Sequence, residues 1–226
     1  MKKALTLLAA GAVLTVAASA QAAPAPAPLV LNTNVISNIK KSTGVLDFTQ
    51  FNATNGTLLS VQIELFSDLD SKFSVENKGK SATTFTLDSA SSVSLSSSVF
   101  SLATLVNNYH STVSKGAFDL TDDYAGTSGT VVTLAPQHQS VSAVFTDAAT
   151  LAAFTGTGSV AATVTGLGTT KITASGNVHT AATSAYSAYG TVTYTFAAPV
   201  PEPETYAMLL AGLGLVGFAA RRRKSA

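Results

Sequence analysis

A chain of 226 residues with no cysteine and no tryptophan cannot lean on disulfides, so any fold it adopts must rest on its own core. Its formal charge of +1 misleads, because Ala23 to Val200 carries seven lysines, no arginine and ten acids, a net −3, while six of the 13 basic residues sit in the two end segments. A mildly acidic, arginine-free middle has no electrostatic footprint for nucleic acid and no basic surface for anionic lipid.

The chain opens MKKALTLLAAGAVLTVAASAQAA: Lys2 and Lys3 first, an apolar run from Ala4 to Ala18, then small residues at Ala18, Ala20 and Ala22. That is the order of a secretory signal peptide, which assigns residues 1–22 to an N-terminal signal helix handled by the Sec translocon and signal peptidase. The expected cut falls between Ala22 and Ala23, with the bond after Ala20 as second choice. Residues 23–28, APAPAP, form a short stiff leader, because alternating proline favours an extended chain without internal hydrogen bonds.

From Leu29 the pattern has period two. Thr57 to Phe66 places Leu59, Val61, Ile63 and Leu65 on one face, and Lys72 to Asn77 pairs Phe73 with Val75. Thr83 to Ser89, Ser140 to Thr146, Ser159 to Gly166 and Gly190 to Phe196 repeat the device, and Ser92 to Leu102 begins the same way. Alternation of apolar residues with Ser or Thr marks strands with one buried and one wet face. Turn signals stand at Asn55-Gly56, Lys78-Gly79, Gly126 to Gly129, Gly166-Leu167-Gly168 and Gly176-Asn177. Thr146 to Phe154 breaks the alternation and predicts a helix of one to two turns crossing between sheets. Many short strands without a strand–helix–strand rhythm predict an all-β, antiparallel, jelly-roll-like sandwich over 29–198.

Little in that sandwich speaks of chemistry. His110, His138 and His179 are far apart in sequence and lack metal-ligand spacing. Asp68-Leu69-Asp70 and the Asp119, Asp122, Asp123 group are the acid clusters; the second offers some oxygens for calcium but without a known calcium-loop spacing. There is no Gly-x-Ser-x-Gly elbow. Tyr124, Tyr186, Tyr189 and Tyr194 offer rings for sugar stacking, against core packing as the bland alternative. The expectation is a protein that is no enzyme and carries no cofactor and no metal.

The chain ends VPEPETYAMLLAGLGLVGFAARRRKSA. Its apolar run, Tyr206 to Ala220, is 15 residues, about 22 Å as a helix against a bilayer core of about 30 Å. The expectation is a short transmembrane helix over 205–220 with a basic stop at Arg221, Arg222, Arg223 and Lys224 on the cytoplasmic side. Pro201 and Pro203 should hold Glu202 on an extended, accessible peptide.

The segment 199–226, with its motif Val200, Pro201, Glu202 and Pro203 followed by an apolar helix and an arginine run, resembles the PEP-CTERM sorting tail of Gram-negative bacteria. The resemblance implies processing by an exosortase, a membrane transpeptidase, after transient anchoring in the inner membrane through the C-terminal helix. It also implies delivery to the cell surface or extracellular matrix alongside exopolysaccharide and biofilm. The alternatives are a carbohydrate-binding module tethered at the envelope and a single-pass inner-membrane protein that works in the periplasm. Leu46 to Leu87, Leu151 to Val160 and Gly190 to Phe196 are similar to a β-domain family called choice-of-anchor E, which implies an extracellular β-rich domain with no established catalytic role.

Overall fold

The computed structural model describes residues 25–199 and 203–224. The signal peptide expected at 1–22, with its cleavage residues Ala20, Ala22 and Ala23, lies outside them, as do Val200, Pro201 and Glu202. Ten strands form two antiparallel sheets. The first joins β1 (Leu29–Asn32), β2 (Ile36–Ser37), β4 (Thr57–Asn77), β7 (Gly129–Thr133), β8 (Gln137–Phe145) and β10 (Val178–Ala197). The second has the order β3 (Ser42–Thr49), β9 (Ser159–Thr173), β5 (Thr83–Ser96) and β6 (Leu105–Lys115). The antiparallel sandwich predicted from the alternation is what forms. A short helix, α1 (Ala148–Ala153), carries the chain from β8 in one sheet to β9 in the other, as predicted. Asp147 caps it by accepting from the backbone N–H of Thr150 at 2.9 Å.

Several strands are longer than the alternation predicts. Thr57 to Phe66 and Lys72 to Asn77 are one 21-residue strand, β4. The alternation runs on through Ser67, Leu69 and Ser71, all buried. A serine at an interior position hides the pattern from a hydrophobicity count, and it is tolerated because its hydroxyl finds a partner there. Ser89 and Ser91 do the same in β5. The turn expected at Gly166-Leu167-Gly168 is absent: those residues lie inside β9. Both glycines are needed for close approach instead. A Cβ on Gly166 would strike the backbone of Ile39, and one on Gly168 would strike the ring of Tyr186. Gly176 does sit in the predicted turn, at φ 87°, which L-residues avoid.

The interior is two apolar clusters at successive levels of the sandwich. The larger holds Leu46 and Phe48 from β3, Ile63 and Leu65 from β4, Leu95 from β5, Val164 from β9 and Tyr194 from β10. The smaller holds Phe73, Val75, Phe85, Leu87 and Leu134. Between them runs a chain of hydroxyls from sheet to sheet. Ser89 bonds Ser71 at 2.8 Å, Ser71 bonds Ser184 at 2.8 Å, Ser184 bonds Thr170 at 2.6 Å, and Thr170 bonds Tyr186 at 2.8 Å. The Tyr186 hydroxyl also reaches the carbonyl of Thr169 at 3.2 Å. Each such bond is worth about 0.5–1.5 kcal/mol net, but an unmade one at this depth costs about 1–3 kcal/mol. Tyr194 ends its buried ring with a 2.6 Å bond to the Thr49 carbonyl, and burial pushes its hydroxyl pKa well above the ordinary tyrosine value.

Because the Tyr186 ring fills the space above Gly168, Gly168→Ala overpacks the hydroxyl chain. Urea unfolding should show a loss of about 1–3 kcal/mol relative to the parent chain. An unchanged midpoint would contradict the close packing described here.

Candidate functional site

The tail forms a helix, α2 (Pro203–Lys224). It begins at Pro203, not after it: the fixed φ and absent N–H of proline suit the first helical position, so Pro203 opens a helix and does not hold an extended peptide. Met208, Leu209, Leu210, Leu213, Leu215, Val216 and Phe218 are all exposed. At 100° per residue these side chains point in every direction around the axis, so α2 has no single face with which to dock on the sandwich. Among the described residues no helix is long and apolar enough to cross a membrane, so the span expected at 205–220 is not supported. The apolar part is too short, and polar residues occupy both ends of the helix. Arg221 is exposed, and Arg221, Arg222, Arg223 and Lys224 form the last turn, where cations complement the negative end of the helix dipole.

In the sandwich each histidine is paired through Nδ1 with an aspartate. His110 meets Asp88 at 2.7 Å and His138 meets Asp68 at 2.5 Å; each is its partner's register neighbour on the adjacent strand. His179 meets Asp122 at 2.9 Å, and its Nε2 lies 3.0 Å from the Tyr124 hydroxyl. His110 is on the four-stranded sheet and the other two are on the six-stranded one, so the three do not converge. Among the described residues no group of three His, Cys, Asp or Glu side chains is arranged to hold a metal.

Asp119, Asp122 and Asp123 share one loop between β6 and β7 but work separately. Asp119 accepts from the N–H groups of Thr121 and Thr127, and Asp123 from that of Ala125. Asp122 joins Lys78 at 2.8 Å as well as His179. The Thr121 N–H, then the Ser128 hydroxyl, lower the Asp119 pKa; the Lys78 ammonium, then His179, lower that of Asp122.

The outer face of the larger sheet carries what the alternation missed. Phe66 falls on the polar parity of β4 and stacks on Tyr189 of β10 at 4.9 Å and on His138 of β8 at 5.5 Å. Its signal in the sequence was an aromatic residue out of phase with Val61, Ile63 and Leu65. Burial, then the charges of Asp68 and Glu64, raise the Tyr189 pKa. Farther along the face lies a shallow cleft of about 380 Å³, lined by Asp70, Lys72, Thr133, Pro136, Thr183 and Ala185. Of the four tyrosines, Tyr186 and Tyr194 are core residues, while Tyr189 and Tyr124 remain partly exposed.

Asp119 and Asp122 have folded pKa values below the ordinary 3.8, so their bonds stabilise the loop fully above that value. They are lost as pH falls through the lowered folded values. Amide hydrogen exchange should therefore show protection of residues 117–128 constant from pH 7 to 5 and falling below about pH 4, ahead of the β4–β10 amides.

No curated protein matches the chain. Among solved structures, a chain of the Gt strain of infectious bursal disease virus matches at 9% identity and a TM-score of 0.24, over 90% of this chain and 52% of that one. A chain of the Gx strain matches at 10% identity and a TM-score of 0.14, over 77% and 37%. This chain thus spans about half or less of those viral chains, and scores of that size carry no argument about fold or function. The family model described as the PEP-CTERM protein-sorting motif matches residues 199–224, covering α2 and the Pro-Glu-Pro sequence whose last proline opens it. The match implies export, sorting to the surface or exterior, and processing by an exosortase. Residues 199–224 are a PEP-CTERM protein-sorting motif.

Proposed function

We propose that this protein is a non-enzymatic component of the cell surface or extracellular matrix, exported through the Sec translocon and released to its destination when an exosortase processes the tail. The observation that carries the proposal is the exposure of α2 on all sides, directly behind the matched Pro-Glu-Pro sequence. Apolar side chains exposed all round a helix, as those from Met208 to Phe218 are, suit a receptor or a membrane, not the fold that bears them. Association with exopolysaccharide in a biofilm is the destination that the tail suggests.

A second function, carbohydrate binding, is favoured by the cleft beside the Phe66–Tyr189–His138 row. Carboxylates, hydroxyls and rings on a shallow surface are the groups that sugars use. The mutual stacking of Phe66 and Tyr189, with planes 13° apart, occupies one face of each ring and leaves less aromatic face for a sugar.

Intact mass and C-terminal peptide sequencing of the protein recovered from surface or medium test the main proposal. The expected form begins near Ala23, ends between Val200 and Pro203, and lacks Tyr206 to Ala226. A Glu202→Ala variant should accumulate with the tail intact. A surface or medium form of the parent chain that retains the tail would overturn processing and favour a single-pass inner-membrane protein. For the second function, retention on insoluble exopolysaccharide should fall at least about tenfold in Lys72→Ala with Tyr189→Ala, which is about 1.4 kcal/mol of binding.

A further inference from the structure

The six-stranded sheet has a notch. β8 pairs with β4 as far as Gln137 opposite Leu69, and β7 takes over at Thr133 opposite Lys72. Between them the chain from Leu134 to Pro136 leaves the ladder, so among the described residues Asp70 and Ser71 have no strand partner on that side. The Leu134 N–H still donates to the Ser71 carbonyl at 2.9 Å, and the Leu134 side chain joins the smaller core cluster. The cleft of about 380 Å³ lies here, within the size of pockets that take small ligands, about 300–1,000 Å³. A second hollow of about 190 Å³, lined by Lys72, Ser74, Ala181, Ala182 and Thr183, continues it along the β4–β10 pair.

Two opposite charges line the cleft. Asp70 and Lys72 are both exposed and lie two residues apart on one face of β4, which separates them by about 7 Å along the strand. Among the described residues neither is in an ion pair, with the other or with any third group. Their neighbours on β10 are short: Ala185 opposite Asp70 and Thr183 opposite Lys72. Ala185, Leu134 and Pro136 give the cleft an apolar lining. The cleft thus offers a carboxylate that only accepts, an ammonium that only donates, and carbon surface beside them.

We propose that this cleft binds the acetamido group of an N-acetylhexosamine unit in a polysaccharide, an inference that rests on the carbohydrate-binding function proposed for the same cleft and narrows it to one sugar class. A secondary amide is planar and trans, so its N–H and C=O point in opposite directions and answer two groups of opposite sign at once. The N–H donates to Asp70, the carbonyl accepts from Lys72, and the methyl lies against the apolar lining. Charge disfavours the neighbouring sugar classes. The ammonium of a free amino sugar pairs with Asp70 but is opposed by Lys72, and a uronate pairs with Lys72 but is opposed by Asp70. A plain hexose reaches both charges through hydroxyls but has no methyl to bury. The hollow beyond Lys72 accommodates the next unit of the polymer.

The test is isothermal titration of the full exported chain with β-1,4-linked tetrasaccharides of N-acetylglucosamine, glucosamine and glucose. The acetylated tetramer should bind at least about tenfold more tightly than either of the others. Ala185→Leu, which fills the cleft from an exposed position, should weaken that binding at least about tenfold, whereas His110→Ala on the four-stranded sheet should leave it unchanged. Lys72→Ala should weaken binding of the acetylated tetramer and strengthen that of the glucosamine tetramer, because the cation that opposes an ammonium is gone. Failure to bind the acetylated tetramer, equal affinity for the three, preference for glucosamine or glucose, or full binding in Ala185→Leu would each overturn the acetamido site. Retention of the parent chain on exopolysaccharide would then leave the broader carbohydrate function standing, and absence of that retention would end both.

Discussion

The six-stranded sheet is hung on one pairing, that of β4 with β10, and the other sheet packs its core face against it. The two strands run antiparallel from Val178 opposite Asn77 to Ala197 opposite Thr57, with a single irregularity between Thr195 and Phe196. A hairpin cannot make this pair, because about a hundred residues separate the strands. It is therefore a non-local closure whose entropy must be met by the contacts it assembles. Once it forms, β1 and β2 add to the free side of β10, and β7 and β8 add to the free side of β4. The last two are almost one edge strand, broken at Leu134 to Pro136, where proline cannot donate to the ladder and leaves the edge less open to further pairing.

That long pair also explains the divided core. A 21-residue strand extends over about 70 Å, more than one compact apolar cluster spans. Two clusters form instead, and the hydroxyl chain of Ser71, Ser89, Ser184, Thr170 and Tyr186 lies where they meet. Small hydroxyl side chains let the sheets approach at that level, and each satisfies its neighbour in the chain. The same economy of side-chain size appears at Gly166 and Gly168, whose missing Cβ atoms admit Ile39 and Tyr186. The sandwich lacks cysteine, tryptophan and methionine, and it achieves specificity through register and hydroxyl pairing.

The tail stands in contrast. α2 is a local structure: its described apolar side chains, from Met208 to Phe218, are exposed around the axis, and none of them belongs to either core cluster. Such an arrangement suits a signal that is read once and processed, and it separates the address from the domain being delivered.

Sequence alone determined the class of fold and the nature of the tail, because both are written in short-range patterns. Alternation at Val61, Ile63 and Leu65, the capped run after Asp147, and the order of Pro-Glu-Pro, apolar helix and arginines are each legible within about 25 residues. Tertiary structure alone decided which polar residues belong inside. Ser67, Ser71, Ser89 and Ser91 read as wet positions until partners distant in sequence make them interior, and Gly166 to Gly168 reads as a turn until Ile39 and Tyr186 are brought against it. The burial of Glu76 is of the same kind. In the sequence it is an ordinary acid beside a turn, and only the loop that folds over the end of β4, some 50 residues later, removes it from water. Non-local contacts set the dielectric around a side chain, and local sequence carries no record of it.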